Sequence, residues 1–162
     1  MKRQKILLKI LFASFLFSSC NFSKGVKKDL STGLSASYNG LSIEDIYLSS
    51  NGTKIAENKI TLGEKVEIIV TGVSNYVVKD ERVYPACSIV LKDKTGKELL
   101  NLADALSDRK NGFAKNEAST LTASINTGEP MIAGDTYHFS ATFFDKLKPE
   151  NVINAEVNIV AK

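Results

Sequence analysis

The chain has 162 residues, with 21 Lys and Arg against 18 Asp and Glu and a formal net charge of +3. The first 19 residues hold four of the basic side chains and none of the acidic ones, so the remainder has 17 basic against 18 acidic, a formal charge of −1. A protein that binds nucleic acid needs a basic surplus to displace the counterions of the phosphates. We therefore expect no nucleic-acid partner.

The N-terminal segment has the pattern of a secretory signal. Residues 2–9 include four basic and no acidic side chains, and residues 10–17 are mostly apolar. Such a basic stretch followed by a short apolar run is typical of signal peptides. The run is shorter than the roughly 20 apolar residues that a membrane-spanning helix needs.

This segment ends in Ser18, Ser19 and Cys20. The ending resembles the lipobox of bacterial lipoproteins, with Phe17 in the place where Leu is usual. The resemblance implies that residues 1–19 are removed, that the sulfur of Cys20 carries a diacylglycerol, and that its amine takes a further acyl chain. An ordinary signal peptide that leaves Cys20 as a free thiol is the alternative.

Acyl chains anchor a protein because burial of each methylene contributes about 0.8 kcal/mol, and more than one chain holds it stably. We thus predict a protein of the bacterial cell envelope held by lipid on Cys20. Asn21 is not the Asp of lipoproteins retained at the inner membrane, so the resemblance implies the outer membrane. Residues 20–39 are polar and rich in Ser, Gly and Lys, and they predict a lipidated flexible tether.

Short β patterns separated by turn residues fill residues 40–162, which we predict to be a single domain. Apolar and polar residues alternate most clearly in residues 119–126, 136–143 and 153–159, as expected of strands with one buried face. The predicted strands are residues 41–48, 54–56, 65–72, 83–92, 98–101, 119–126, 136–143 and 153–159, with turns at 50–52 and 93–96. Seven or eight strands joined by short links predict an antiparallel β-sandwich.

One segment departs from this pattern. Leu99, Leu102, Ala103 and Leu106 recur at the spacing of a helix face. We predict one short helix within residues 99–109, crossing an end of the sandwich.

Two stretches support a closer resemblance. Thr61-Leu62-Gly63-Glu64-Lys65-Val66 leads to a strand that ends at Gly72, and Ala133-Gly134-Asp135-Thr136-Tyr137 opens a long penultimate strand. These stretches resemble the immunoglobulin-like domains of small envelope lipoproteins of Bacteroidota. The chain lacks the cysteine pair and the tryptophan of antibody domains, so the resemblance implies only the immunoglobulin-like sandwich architecture.

Catalytic and metal-binding motifs are missing from the sequence, and we predict a protein that is not an enzyme, with no metal and no cofactor. His138 lies on a strand face opposite Tyr137, where a surface or inter-strand role is expected. Cys87 lies in phase with apolar neighbours and is predicted to be buried and inert. Single carboxylates near strand ends, Asp104 and Asp145 among them, are interpreted as solvated turn groups, with a calcium site as the alternative.

Residues 76–84 contain the chemistry best suited to a ligand. Tyr76 and Tyr84 can stack on a sugar or a peptide, and Asp80 and Arg82 can hydrogen-bond to it. We name these four residues as the candidate ligand-binding site. The alternative is a loop whose tyrosines pack on the edge of the domain.

The functional hypothesis is a lipid-anchored, non-enzymatic binding or display module for a glycan or a protein. The alternative is a structural or accessory subunit of an envelope assembly, joined by strand addition or through an apolar face. A ligand-binding module should expose Tyr76, Arg82 and Tyr84 together on a concave surface. An assembly subunit should show a contiguous apolar patch or an uncharged edge strand.

Overall fold

The computed structural model describes residues 23–162, which form two β-sheets packed face to face. The strands in chain order are β1 Lys24–Lys28, β2 Ser35–Asn39, β3 Asp45–Ser50, β4 Thr53–Lys54, β5 Lys59–Ile60, β6 Lys65–Thr71, β7 Pro85–Lys92, β8 Glu98–Leu102, β9 Thr120–Asn126, β10 Thr136–Asp145 and β11 Lys148–Ala161. A single 3₁₀ turn, Glu117–Ser119, precedes β9. No helix in the described part of the chain is long and apolar enough to cross a membrane.

The larger sheet has the order β1-β2-β11-β10-β7-β8, and β5 adds to β11 beyond the end of β2. The smaller sheet has the order β4-β3-β6-β9. All pairings except that of β5 with β11 are antiparallel. Between the two sheets, β1 packs near β3, and β7 packs near β9. The sandwich therefore has one open side at β1 and β4 and another at β8 and β9. The predicted all-β, immunoglobulin-like sandwich is confirmed.

The core lies between the sheets, where the alternating apolar residues of both meet. Burial of these side chains is the main favourable term in folding, at about 25 cal/mol per Å² of apolar surface. The larger sheet contributes Tyr137, Phe139, Ala141, Phe143, Ile153, Ala155, Val157 and Ile159, and the smaller sheet contributes Leu48, Val66, Ile68, Val70, Leu121, Ala123 and Ile125. The inward faces predicted for β6, β9, β10 and β11 are confirmed.

Both predicted hairpin turns are present. Asn51 and Gly52 have φ angles of 47° and 80°, the left-handed pair that a two-residue turn between β3 and β4 requires. Gly96 has a φ of 87° in the turn between β7 and β8.

The tether predicted over residues 20–39 is wrong for residues 24–39. The strands β1 and β2 form a hairpin, and β2 pairs with β11 in the larger sheet. Leu34 and Ala36 are buried in the core, and these two apolar side chains dock the hairpin despite its polar composition. Residues 24–39 are therefore part of the β-sandwich. Cys20 and the predicted signal lie outside the described residues.

The helix predicted within residues 99–109 is also wrong. The turn at Asp93 folds the chain back, and β8 pairs with β7 over residues 98–102. Leu99 packs against the core, whereas Leu100 and Leu102 are exposed on the edge strand. The helical spacing of the leucines is thus coincidental, because the hairpin connection determines the local structure.

The register of the larger sheet shows which loops share an end of the sandwich. Lys24, Asn39, Val152, Phe144 and Ala86 lie in one row across five strands. The described chain therefore starts at the end that carries the β6–β7 loop and the β10–β11 turn, which we call the N-terminal end. The opposite end, about 33 Å away along the ten residues of β10, carries the β7–β8 turn and Lys162.

Candidate binding site at the N-terminal end

The loop between β6 and β7 forms a small hairpin. Lys79 and Arg82 exchange two backbone hydrogen bonds of 2.9 Å. Asp80 and Glu81 between them have φ angles of 51° and 61°, so the turn is left-handed at two residues that are not glycine. The turn places both carboxylates at an exposed tip.

The Arg82 side chain forms hydrogen bonds to the neighbouring loop at residues 111–112. Its Nε donates to the carbonyl of Asn111 at 2.6 Å, and a terminal nitrogen donates to the carbonyl of Gly112 at 3.3 Å. Val83 next to it pairs with Phe113 through two backbone hydrogen bonds of 3.0 and 2.8 Å. The guanidinium therefore fixes residues 111–113 against the hairpin.

Tyr84 packs on the same loop. Gly112 has a φ of 67°, and a Cβ there would lie 2.9 Å from the Tyr84 ring and 2.7 Å from the Val83 carbonyl oxygen. Only glycine accepts both this backbone angle and this close approach. The backbone carbonyl of Tyr84 accepts from the N–H of Lys146 at 2.8 Å. Tyr84 thus lies at the edge of the domain.

Tyr76 lies deeper than the other three candidate residues. Its hydroxyl donates to the carbonyl of Ala118 at 3.1 Å. Burial, and then the nearby Asp145 carboxylate, raises the pKa of the Tyr76 phenol well above its usual value. The hydroxyl is therefore neutral and committed to the protein, and the ring is partly buried against the hydrophobic core.

Asp145 is fully buried, contrary to its interpretation as a solvated turn group. Its two carboxylate oxygens accept from the backbone N–H groups of Val77 at 2.7 Å and Leu147 at 2.9 Å. It therefore ties the loop that carries Tyr76 to the β10–β11 turn. The bond from Asp145 to the N–H two residues later is typical of Asx turns. An Asp at the start of a turn therefore predicts this bonded role from sequence.

Asp104 has a similar structural role. It accepts from the backbone N–H groups of Cys87 at 3.2 Å and Leu106 at 2.9 Å, and it forms a 2.7 Å ion pair with Lys146. Burial alone would raise the pKa of Asp104, but the hydrogen bonds from Lys146 and the two amides outweigh it and lower that pKa. This carboxylate is also not a solvated turn group.

A cavity of about 330 Å³ lies beside Tyr76. It is lined by Val73, Ser74, Asn75, Tyr76, Val78, Val83 and Lys115. We call it the Tyr76 cavity. Tyr76 is the one predicted site residue that lines it, because Arg82 and Tyr84 lie against residues 111–112 and Asp80 is at the hairpin tip. Lys115 was missed, because sequence alone does not show that the segment before β9 reaches this loop. Asn75 was missed because the candidate segment begins at Tyr76.

Two further concave surfaces lie at the opposite end. A polar depression of about 530 Å³ is lined by Ser50, Ile55, Ala56, Glu57, Lys59, Thr61, Glu64 and Lys162. A groove of about 330 Å³ between β8 and β9, which we call the edge groove, is lined by Leu91, Leu99, Leu100, Met131 and residues 124–130 apart from Thr127. Polar and apolar surface contribute about equally to its wall, whereas the wall of the depression is more polar.

The remaining candidate groups lie outside these cavities. His138 is on the outer face of the larger sheet, with Nδ1 3.0 Å from Asn158 Oδ1 and Nε2 3.7 Å from Glu156. Cys87 is buried in the core, and desolvation, then the charge of Asp104, raises the pKa of its thiol to about 12. Residues 23–162 contain no cluster of three His, Cys, Asp or Glu side chains that could hold a metal ion.

The fold defines an all-β sandwich of the immunoglobulin-like class. Among solved structures, the chain is similar to the crystal structure of the C-terminal domain of wzt, with a TM-score of 0.50 and 11% identity over 88% of this chain and 79% of that chain. At this identity the likeness shows the fold alone. No protein-family model and no curated protein matches the sequence.

Proposed function

We propose that this protein is a lipid-anchored bacterial envelope protein, at the outer membrane, that acts as a non-enzymatic binding module for a glycan or a protein segment. The observation that supports the binding role is the Tyr76 cavity. Its volume is at the lower end of the range for ligand sites, about 300–1,000 Å³, and suits a single sugar ring or one or two side chains.

The chemistry of the Tyr76 cavity combines an apolar wall with a few polar groups. The Tyr76 ring and Val78 offer apolar surface to the face of a sugar or to an aliphatic side chain. Asn75 and Lys115, which also line the cavity, offer hydrogen-bond donors. This combination is typical of sites that recognise by packing and orient by a small number of hydrogen bonds.

The proposed anchor agrees with the position of this cavity. Three residues separate Cys20 from Lys24, and the four Cα-to-Cα steps between them span at most about 14 Å when the chain is fully extended. An acylated Cys20 would therefore keep the N-terminal end close to the bilayer. In a single copy, the cavity would then face ligands at the membrane surface, and the opposite end would project about 33 Å further.

A structural or accessory subunit of an envelope assembly is the second candidate function. The edge strand β9 and the exposed Leu100 and Leu102 on the neighbouring edge strand favour it. Uncharged edge strands are templates for strand addition.

The anchor is tested by mass spectrometry of the protein purified from membranes of its native host. We expect the chain to begin at Cys20 with acyl chains on its sulfur and amine. Protease treatment of intact cells then reports whether the domain faces the outside. An unmodified Cys20 in a soluble fraction would contradict the anchor and the proposed location.

The Tyr76 cavity is tested on an array of oligosaccharides and peptides, followed by titration of the best ligand. We expect Tyr76→Ala to weaken binding at least about 10-fold, because the loss of a packed aromatic ring costs more than about 1.4 kcal/mol. Lys110→Ala, which alters a nearby lysine outside the cavity, is the matched control. Equal affinity of the wild type and Tyr76→Ala would contradict this site.

A further inference from the structure

The two sheets end in four edge strands, β1, β8, β4 and β9. These strands differ in how each is protected from pairing with a strand of another molecule. Three of the five residues in β1 are lysines, β4 has only two residues, and β8 carries Glu98 and meets a register shift in β7. Charges, short length and bulges are the usual devices that block edge pairing. The strand β9 has seven residues, Thr-Leu-Thr-Ala-Ser-Ile-Asn, with no charge, proline or glycine.

The hydrogen-bond pattern of the smaller sheet shows which backbone N–H and C=O groups of β9 point away from β6. The N–H of Asn51 donates to the carbonyl of Lys65, so alternate residues of β6, starting with Lys65, bond to β3. The intervening residues of β6 then bond to Leu121, Ala123 and Ile125 of β9. The backbone groups of Thr120, Thr122, Ser124 and Asn126 therefore point away from the sheet. Within residues 23–162, no other strand pairs with this edge.

This edge is complementary to itself. When a second β9 is placed antiparallel with a two-fold axis at Ala123, Thr122 lies opposite Ser124 of the second copy, and Thr120 lies opposite Asn126. All four are residues with free backbone groups, so each opposed pair can exchange two hydrogen bonds. If the second β9 were shifted by one residue, free backbone groups of one copy would lie opposite backbone groups of the other copy that already bond to β6.

The side chains also suit this register. Hydroxyl and amide groups meet across the outer face, where cross-strand Thr and Ser pairs are stabilising. On the other face Leu121 lies opposite Ile125, and the small Ala123 meets its own copy at the axis. Since the strand has no charge, the symmetric pairing sets no like charges against each other within it.

We propose that two copies of this chain pair through β9 and join their smaller sheets into one continuous eight-stranded sheet. The interface is isologous, as in most two-fold dimers. The second copy would lie across the edge groove and cover apolar surface at Leu99, Leu100 and Met131. This inference does not depend on the lipid anchor or on the Tyr76 cavity.

The first test is cross-linking of the full-length protein in intact cells of its native host. In the proposed register the two copies of Thr122 are diagonal neighbours, with Cα atoms about 7–8 Å apart. We expect Thr122→Cys to be joined by a short bismaleimide into a species of twice the chain mass. The control is Lys28→Cys, an exposed position on β1 at the other side of the sandwich, which should give background yield only.

The second test is the mass of the detergent-solubilised full-length protein by sedimentation equilibrium. We expect the wild type to show about twice the chain mass and Thr122→Pro to show one chain mass. Proline at this position removes an outward N–H and no bond to β6. Thr122→Val keeps the N–H and should remain dimeric, and thermal melting checks that each variant is folded.

Two results would overturn the proposal. One is a wild-type protein that sediments as a single chain and gives no more cross-link at Thr122→Cys than at Lys28→Cys. The other is a cross-linked product whose mass identifies a different protein, because β9 would then accept a strand from that protein and not from a second copy.

Discussion

Leu34→Ala should lower the free energy of unfolding by about 3 kcal/mol, the typical cost of removing a fully buried leucine side chain. Leu34 has no exposed surface and packs in the core between the sheets. The cost combines the lost transfer free energy with that of the cavity left behind. Urea denaturation followed by circular dichroism measures it.

Leu30→Ala is the matched control, because Leu30 lies four residues earlier in the same hairpin and is 90% exposed. We expect it to change the free energy of unfolding by no more than about 0.5 kcal/mol. If the two variants unfolded at the same urea concentration, the β1–β2 hairpin would not be part of the cooperative domain. Residues 24–39 would then behave as the flexible tether that their polar composition predicts.

The length of each alternating apolar pattern decides which strands of this protein can be predicted from its sequence. The strands β6, β9, β10 and β11 were predictable because their apolar residues alternate over seven or more positions. The β1–β2 hairpin buries Leu34 and Ala36 and packs Tyr38 partly against the core, and this sequence signal is too weak to distinguish from a polar linker. Its place in the sheet depends on pairing with β11, more than a hundred residues later.

The candidate site was predictable only in part for the same reason. Composition identified residues 76–84 as the segment with ligand chemistry, and Tyr76 does line a cavity. Lys115 joins it through tertiary packing of the segment before β9. Arg82 and Tyr84 were expected at the same surface, but bonds and contacts with residues 111–112 direct them elsewhere.

The proposed anchor and the proposed dimer use different parts of the sandwich. The anchor would enter next to β1, while β9 lies at the other open side. Pairing through β9 would therefore leave both β1 edges at the outer limits of the dimer. Because the two copies of β9 run antiparallel, their N-terminal ends would lie at opposite ends of the joined sheet, so both anchors would reach one bilayer only with the strands lying along its surface. The Tyr76 cavity lies at the N-terminal end, near the start of β9, so its accessibility in the dimer can be measured by comparing ligand binding to the wild type and to Thr122→Pro.

Asp145→Ala should also destabilise the protein by about 3 kcal/mol. The substitution removes two part-buried hydrogen bonds, from the N–H groups of Val77 and Leu147, and a hydrogen bond to a charged group contributes about 1.5–3 kcal/mol. Because Val77 adjoins Tyr76, the same change should loosen the wall of the Tyr76 cavity. Urea denaturation gives the loss of stability, and amide hydrogen exchange at Val77 and Leu147 should become faster.

Two further variants separate this hydrogen-bonding role from a general effect of charge. Asp108→Ala removes an exposed carboxylate from a neighbouring loop and should leave stability within about 0.5 kcal/mol of the wild type. Asp145→Asn keeps the shape and one acceptor oxygen, so it should lose less stability than Asp145→Ala. A loss from Asp145→Ala no larger than that from Asp108→Ala would show that the buried carboxylate does not hold the two loops together. In that event the Tyr76 cavity would need another source of rigidity.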